Sequence, residues 1–260
     1  MPQWAKIKFF YDSIPGSSGS LITATSATST DPIENIYNTL ETNRWMASNT
    51  TDPHYIKVDL NTGNPLKSAD YAAIIGHNLK SAGASVSLEC SADDFATDIT
   101  VALAPFSPSS DSAVVKEFTQ TPGKRHWRLK ITGMTVPVYM AVCIWGLKTE
   151  LDYASASFDP HGEERRANVN LSYGGYVAGV HAQYSERQMT LRFEDADEAL
   201  YTKVRDWWER SGGKNFFVSW DSTMHPDDVF FMRPDLKLSS PLKHGGLYRD
   251  ITLNLRGRKE

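Results

Sequence analysis

"NRWMASNTTDPHYIKVDLN", residues 43–61, places an aromatic and basic cluster, Asn43-Arg44-Trp45, a short polar loop ahead of the stretch Tyr55 to Leu60. That stretch alternates apolar and polar residues with the period of a strand that has one face in a core. A large aromatic just before such a strand closes a sheet, so Trp45 is expected in the packed body. Arg44 has two outlets, a charge-assisted hydrogen bond to a carboxylate such as Asp59 or a ligand outside the protein.

Working outward, the signal is mostly period two, in short runs broken by Gly, Pro, Ser, Asn and Asp. Strands are expected at Ile7–Tyr11, Tyr55–Leu60, Tyr71–Ile75, Ser85–Cys90 and His126–Ile131, with a run at Val138–Trp145 that is apolar nearly throughout. They describe a sandwich of antiparallel strands with Trp127 and Trp145 in its core. The pattern pauses near Thr149–Phe158, which divides the chain into 1–150 and 151–260. Past the pause, strands are expected at Asn168–Tyr173, Gln188–Phe193, Asn215–Trp220, Val229–Met232 and Tyr248–Leu255. Between them the period changes: Ala196, Leu200, Val204 and Trp207 fall on one face of a helix over about 195–211. Asp195 with Glu198 fits a capping box and Gly212-Gly213 supplies the stop. Neighbours Trp207 and Trp208 lie about 100° apart on a helix, so both cannot enter one core. One of them is expected to be partly exposed and to serve as an assembly contact.

Composition and motifs exclude several functions. A chain of 260 residues, 40% hydrophobic and 22% charged, is built for one large or two ordinary domains. No apolar run reaches the roughly 20 residues of a membrane span. The net charge of −4 gives no footprint for nucleic acid. Met1-Pro2-Gln3-Trp4-Ala5-Lys6 lacks the basic head and apolar core of a secretory signal, so synthesis in the cytosol is expected. Cys90 and Cys143 both sit in strand patterns and are expected as buried free thiols. The seven histidines have no metal-binding spacing, the cysteines form no C-x-x-C pair, and there is no nucleophile elbow or phosphate loop. Acidic pairs such as Asp93-Asp94 and Asp227-Asp228, like Asp111, are explained by turns. The expectation is no enzyme, no cofactor and no metal.

The order Asn43-Arg44-Trp45, Tyr55-Ile56-Lys57-Val58-Asp59-Leu60, Tyr71 to Asn78, Val86 to Phe95, and Trp127-Arg128-Leu129-Lys130-Ile131 resembles the discoidin family, also known as the coagulation factor 5/8 type C domain. The resemblance covers roughly residues 20–148 and implies a galactose-binding-like jelly roll whose ligands are held by loops at one end. The later order, a strand, a helix ending Asp206-Trp207-Trp208 before Gly-Gly, an Asn-Phe-Phe-Val strand and a closing Tyr-Arg-Asp-Ile-Thr-Leu-Asn-Leu strand, resembles the β-domain with one helix of tailed-phage distal tail and baseplate proteins. It covers about residues 165–260.

Together the resemblances imply a mainly β protein, with an N-terminal jelly-roll sandwich and a C-terminal β-domain carrying one amphipathic helix. They imply a structural component of a phage or phage-like tail tip, made in the host cytoplasm and carried in the virion. Its partners would be other tail or baseplate proteins and copies of itself in a three- or six-fold ring, with Trp207 and Trp208 as the candidate interface. The alternative is a carbohydrate-binding module contacting host-surface glycans, with Asn43, Arg44 and His54 as the candidate loop site.

Overall fold

The computed structural model describes residues 5–155 and 157–259. Met1–Trp4, the start of the segment read for a secretory signal, lie outside them. Among the described residues, seventeen strands and one α-helix follow in chain order. The first eleven strands are β1 (Lys8–Phe10), β2 (Leu21–Ala24), β3 (Trp45–Met46), β4 (His54–Asp59), β5 (Tyr71–His77), β6 (Ser85–Ser91), β7 (Thr100–Phe106), β8 (Val114–Glu117), β9 (His126–Thr132), β10 (Tyr139–Gly146) and β11 (Thr149–Glu150). Then come β12 (Glu163–Leu171), β13 (Val177–Ala196), α1 (Glu198–Ser211), β14 (Phe216–Ser219), β15 (Val229–Pro234), β16 (Leu242–Lys243) and β17 (Tyr248–Arg258).

Strands β2–β10 form the expected sandwich. One sheet runs β2-β4-β9-β6-β7 and the other β3-β10-β5-β8, with every pairing antiparallel. Successive strands cross from one sheet to the other at every connection except the β6–β7 hairpin. The core between the sheets holds Trp45, Trp127 and Trp145, all fully buried, with Ile56, Val58, Leu88 and Leu129. Cys90 and Cys143 are buried there as free thiols, and burial pushes the Cys90 thiol up to about 11. A turn of 3₁₀ helix, Ile33–Tyr37, adds Ile33 and Ile36 to this core.

The third sheet runs β11-β1-β14-β15-β17-β13-β12, with β16 beside β17. One face carries α1 over Leu191, Phe193, Leu253 and Leu255. The other face packs Phe10, Phe217, Val229 and Phe231 against Tyr71, Ala73, Ile75, Val142 and Ile144 of the sandwich's four-stranded sheet. The layers therefore stack as five-stranded sheet, four-stranded sheet, eight-stranded sheet and helix. The four-stranded sheet is covered on both sides, which is why β5 and β10 read as continuous apolar runs rather than alternating ones.

Two sequence expectations need correction. Residues 8–10, assigned with the first unit, are a strand of the third sheet: Phe9 faces Val218 across one ladder and Thr149 across the other. Phe9 points to the helix side, 5.0 Å from the Trp207 ring and 4.8 Å from Phe216, while Phe10 points to the sandwich, 5.0 Å from Tyr71. The helix is also capped two residues later than expected. β13 stays paired through Ala196, opposite Arg249, so Asp195 is still in the strand. Asp197 is the N-cap, accepting from the Leu200 N–H at 2.8 Å, and Gly212 ends the helix in the left-handed conformation at φ 57°. No helix among the described residues is long and apolar enough to cross a membrane.

Candidate functional site

The sandwich builds a polar cleft beside the cluster with which the sequence reading began. In the 3₁₀ turn, Asn35 clamps the following loop: its amide donates to the Arg44 carbonyl at 2.7 Å and its Oδ1 accepts from Asn43 Nδ2 at 3.2 Å. Trp45 then turns inward, donating from Nε1 to the Ser26 carbonyl at 3.2 Å. Arg44 turns outward and lies over the Tyr139 ring, 4.4 Å from its centroid, with Nε 3.9 Å from Asp31. It does not reach Asp59, whose two oxygens are taken by Arg125 at 2.7 and 2.8 Å; that fork holds the Asp59 carboxyl below its ordinary range.

Around Arg44 opens a cleft of about 660 Å³, walled by residues 41–44, Asp31, the end of β5 at Gly76 and His77, Asp111, and the start of β10 at Tyr139. Glu41 on its rim is held 3.3 Å from Arg258 of β17, so the third sheet braces one side. Asp111 accepts from the Lys80 N–H at 2.8 Å and from Ser81. Partial burial works against its charge, but these bonds outweigh it and hold the carboxyl below the ordinary range. His77 is 3% exposed, accepts the Leu79 N–H on Nδ1, and burial lowers its pKa.

Of the three residues proposed for a loop site, Asn43 and Arg44 belong to this cleft and His54 does not. His54 is fully buried, with its ring 5.5 Å from that of Trp45 and Nε2 accepting the Ser26 N–H at 3.3 Å. Its place in β4 puts it on the same inward face as Ile56 and Val58. Burial lowers its pKa below the ordinary 6.5. Above pH 6.5 the ring is neutral folded and unfolded. As pH falls below 6.5 the unfolded chain takes up a proton that the folded chain refuses, so stability is lost on the acid side. Urea midpoints measured from pH 7.5 to 5 should fall, and His54→Asn should fall less steeply; equal slopes would show that His54 is not a source of the loss.

The pair proposed for assembly also divides. Trp207 is fully buried against Phe9 and Phe216 and has no surface for a partner. Trp208 is half-buried, its ring 6.0 Å from that of Trp207. A more prominent surface escaped the sequence reading. β13 pairs with β17 only from Glu186 onward, so beyond that point β12 and β13 form a two-stranded ribbon, exposed over most of residues 165–184. Cross-strand partners share a face. One face carries Ala167 with Ala182, Val169 with Val180 and Leu171 with Val177; the other carries Asn168 with His181 and Asn170 with Gly179. Val169, Leu171 and Val180 are 53%, 62% and 62% exposed, and the turn adds Tyr173 and Tyr176. At the ribbon's base Glu186 is ringed by Arg233, Arg256 and Arg166 at 3.3, 3.6 and 3.8 Å, which fixes the direction in which the ribbon leaves the body. The alternation Ala167-Asn168-Val169-Asn170-Leu171 was the available signal.

Among the described residues, no three His, Cys, Asp or Glu side chains are grouped to hold a metal ion. Asp93 and Asp111 are occupied by turns: Asp93 accepts from Ser91, Ala96, Thr97 and Asp98.

No protein-family model and no curated protein matches the chain. Solved structures that resemble part of it include the chitosan-binding module 1 of a chitosanase/glucanase from Paenibacillus sp. IK-5, with 17% identity and a TM-score of 0.42 over 52% of this chain and 98% of that one. The family 32 carbohydrate-binding module of Clostridium perfringens NanJ, in complex with galactose, shows 14% identity and a TM-score of 0.41 over 55% of this chain and 99% of that one.

Proposed function

We propose that this protein is a structural component that assembles with copies of itself through the β12–β13 ribbon, as part of a phage or phage-like tail tip or baseplate. The tail-tip setting rests on the resemblance over residues 165–260. The observation that carries assembly is the ribbon's apolar face. A two-stranded ribbon is marginal in water by itself, and one that sets its valines and leucine to solvent gains stability only when another surface covers them. The third sheet has unlike ends, the long β12 at one edge and the two-residue β11 at the other. A ribbon from one copy reaching the opposite edge of the next makes a head-to-tail contact, the kind that closes into rings.

The test is the mass of the full chain in solution by light scattering, with negative-stain images of the same peak, for the parent and for Val169→Asp/Val180→Asp. The parent should form a defined oligomer. The variant should be monomeric and still cooperatively folded, because both side chains are already exposed within one copy, with its thermal midpoint lowered only by the contribution that assembly makes. A parent that is monomeric at every concentration, or a variant that assembles equally well, overturns the reading.

A second reading is favoured by the cleft at Arg44: the sandwich contacts a glycan. It is compatible with assembly, since the cleft and the ribbon's apolar face share no residue.

A further inference from the structure

A second cleft lies at the seam between the sandwich and the third sheet, beside the C-terminal end of α1. It holds about 220 Å³ and is lined from both units: Tyr37, Thr39 and Lys67 from the sandwich, Arg210, Lys214 and Asn215 from the helix end and the segment before β14, with residues 11–17 between them. Asn215 ties the two sides together, donating from Nδ2 to the Thr39 carbonyl at 3.1 Å.

The charges here do not cancel. Arg210 is committed to Asp12 within the cleft and to Asp206 outside it, the latter at 3.4 Å. Asp12 is committed as well, since its other oxygen accepts the Leu147 N–H at 3.2 Å. Neither Lys67 nor Lys214 makes an ion pair among the described residues. Three cations against two carboxylates leave one positive charge. The C-terminus of α1 offsets about half of it, and two of its carbonyls are already capped, Trp208 by the Gly212 N–H at 3.3 Å and Ser211 by the Lys214 N–H at 2.9 Å. That dipole explains a basic residue at the helix end, such as Arg210. It does not explain Lys67, which comes from the other unit and is pinned by hydrogen bonds with the Lys124 backbone at 3.3 and 2.9 Å. Folding thus brings two ammonium groups to one small space against their repulsion and gives neither an acid. Ser13 adds a donor, because its Oγ accepts the Gly16 N–H at 3.0 Å and keeps its own proton free. Lys67, Lys214, Arg210, Ser13 and Tyr37 are all at least partly exposed, so a ligand can reach them.

We infer that this seam cleft binds a phosphate group, bridged between Lys67 of the sandwich and Lys214 of the third sheet's unit, with Ser13 donating to a further oxygen. Donors arriving from several directions call for a ligand with at least three acceptor oxygens and a charge near −2, which a phosphate group has. A carboxylate brings two oxygens and one charge. The cleft is smaller than the roughly 300 Å³ at which sites for drug-sized ligands begin, so it takes the ion itself or the phosphate end of a longer molecule. Since its two principal holders come from different units, the bound group fastens the sandwich to the third sheet. The site shares no residue with the ribbon or with the cleft at Arg44.

Calorimetric titration of the full chain with inorganic phosphate, glycerol 3-phosphate and, at matched ionic strength, acetate tests it. The proteins are the parent, Lys67→Ala, Lys214→Ala and Lys80→Ala, the last at the opposite end of β5. Truncating partly exposed lysines leaves the fold intact, which a thermal melt without phosphate verifies. The parent should bind phosphate with a Kd below about 1 mM and acetate at least about tenfold more weakly. Lys67→Ala and Lys214→Ala should each weaken phosphate about tenfold, the loss of one charge-assisted hydrogen bond, and Lys80→Ala should leave it unchanged. Glycerol 3-phosphate that binds as tightly as phosphate supports the site as a receiver for the end of a larger molecule; its exclusion supports a site for the free ion. No phosphate binding by the parent, equal binding of acetate, or equal binding by all four proteins overturns the site. A loss in only one of the two cleft-lysine variants overturns the bridge across the seam.

Discussion

Replacing Trp207 by alanine should lower the stability of the protein by about 3–5 kcal/mol, the range for emptying a large aromatic site in a packed core. The ring sits between Phe9, 5.0 Å away, and Phe216, 5.1 Å away, on an element from each end of the chain, so neither neighbour can move in without breaking its own strand pairing. Trp208, one position on, is half-buried, and its loss should cost well under half as much. Trp207→Phe separates shape from polarity. The indole Nε1 is buried without a hydrogen-bond partner, so phenylalanine removes a donor that was never satisfied and should recover most of the lost stability. Urea denaturation of the three variants decides it. Equal losses at 207 and 208 would mean that the helix docks on a different face from the one described.

The second large effect concerns the cooperativity of the whole chain. Because β5 and β10 are covered on both sides, the sandwich and the third sheet share Phe10, Tyr71, Ile75, Val142, Ile144, Phe217 and Phe231 in one apolar layer. Neither unit can unfold without exposing that layer on the other. Calorimetry should therefore show a single transition whose calorimetric and van't Hoff enthalpies agree. Phe10→Ala should lower that transition as one event, again by about 3–5 kcal/mol. Two resolved transitions in the parent protein, or a variant that splits them while one unit keeps its midpoint, would show the layer to be a loose contact between independent domains.

Much of this was legible in the sequence, and the failures have physical causes. The alternation Tyr55 to Leu60 identified β4 and its inward face; extended back by one residue, it already put His54 inside with Ile56 and Val58. The polar character of a histidine beside a loop points outward, and the register of the strand overrides it. The helix face Leu200, Val204, Trp207 points Trp207 toward the core, but the sequence reading leaves open which tryptophan is exposed, and the folded chain shows it to be Trp208. The unbroken apolar runs of β5 and β10 were visible, and their length signalled burial on two sides, but one sheet of a sandwich needs only one. Nothing local told where Lys8–Phe10 would pair, since three residues carry no register and their partners lie at Thr149–Glu150 and Phe217–Ser219. The cleft was half legible. Asn43 and Arg44 announced themselves as a cluster, whereas Asp31, His77, Asp111 and Tyr139 come from four other segments that only the folded chain brings together.

The position of β1 also orders events while the chain is being made. Lys8–Phe10 leaves the ribosome well before Phe217–Ser219, and its ladder on β14 cannot form until those residues have been synthesised. Until then β1 has only the two-residue β11 to pair with, while the sandwich, whose strands lie between Leu21 and Gly146, can already close beside it. Contacts so far apart in sequence form slowly, and an unpaired apolar strand invites association with other nascent chains. The arrival of β14 is thus what completes the pairing of Lys8–Phe10 and ends that exposure, and the yield of folded protein should depend on how quickly it comes.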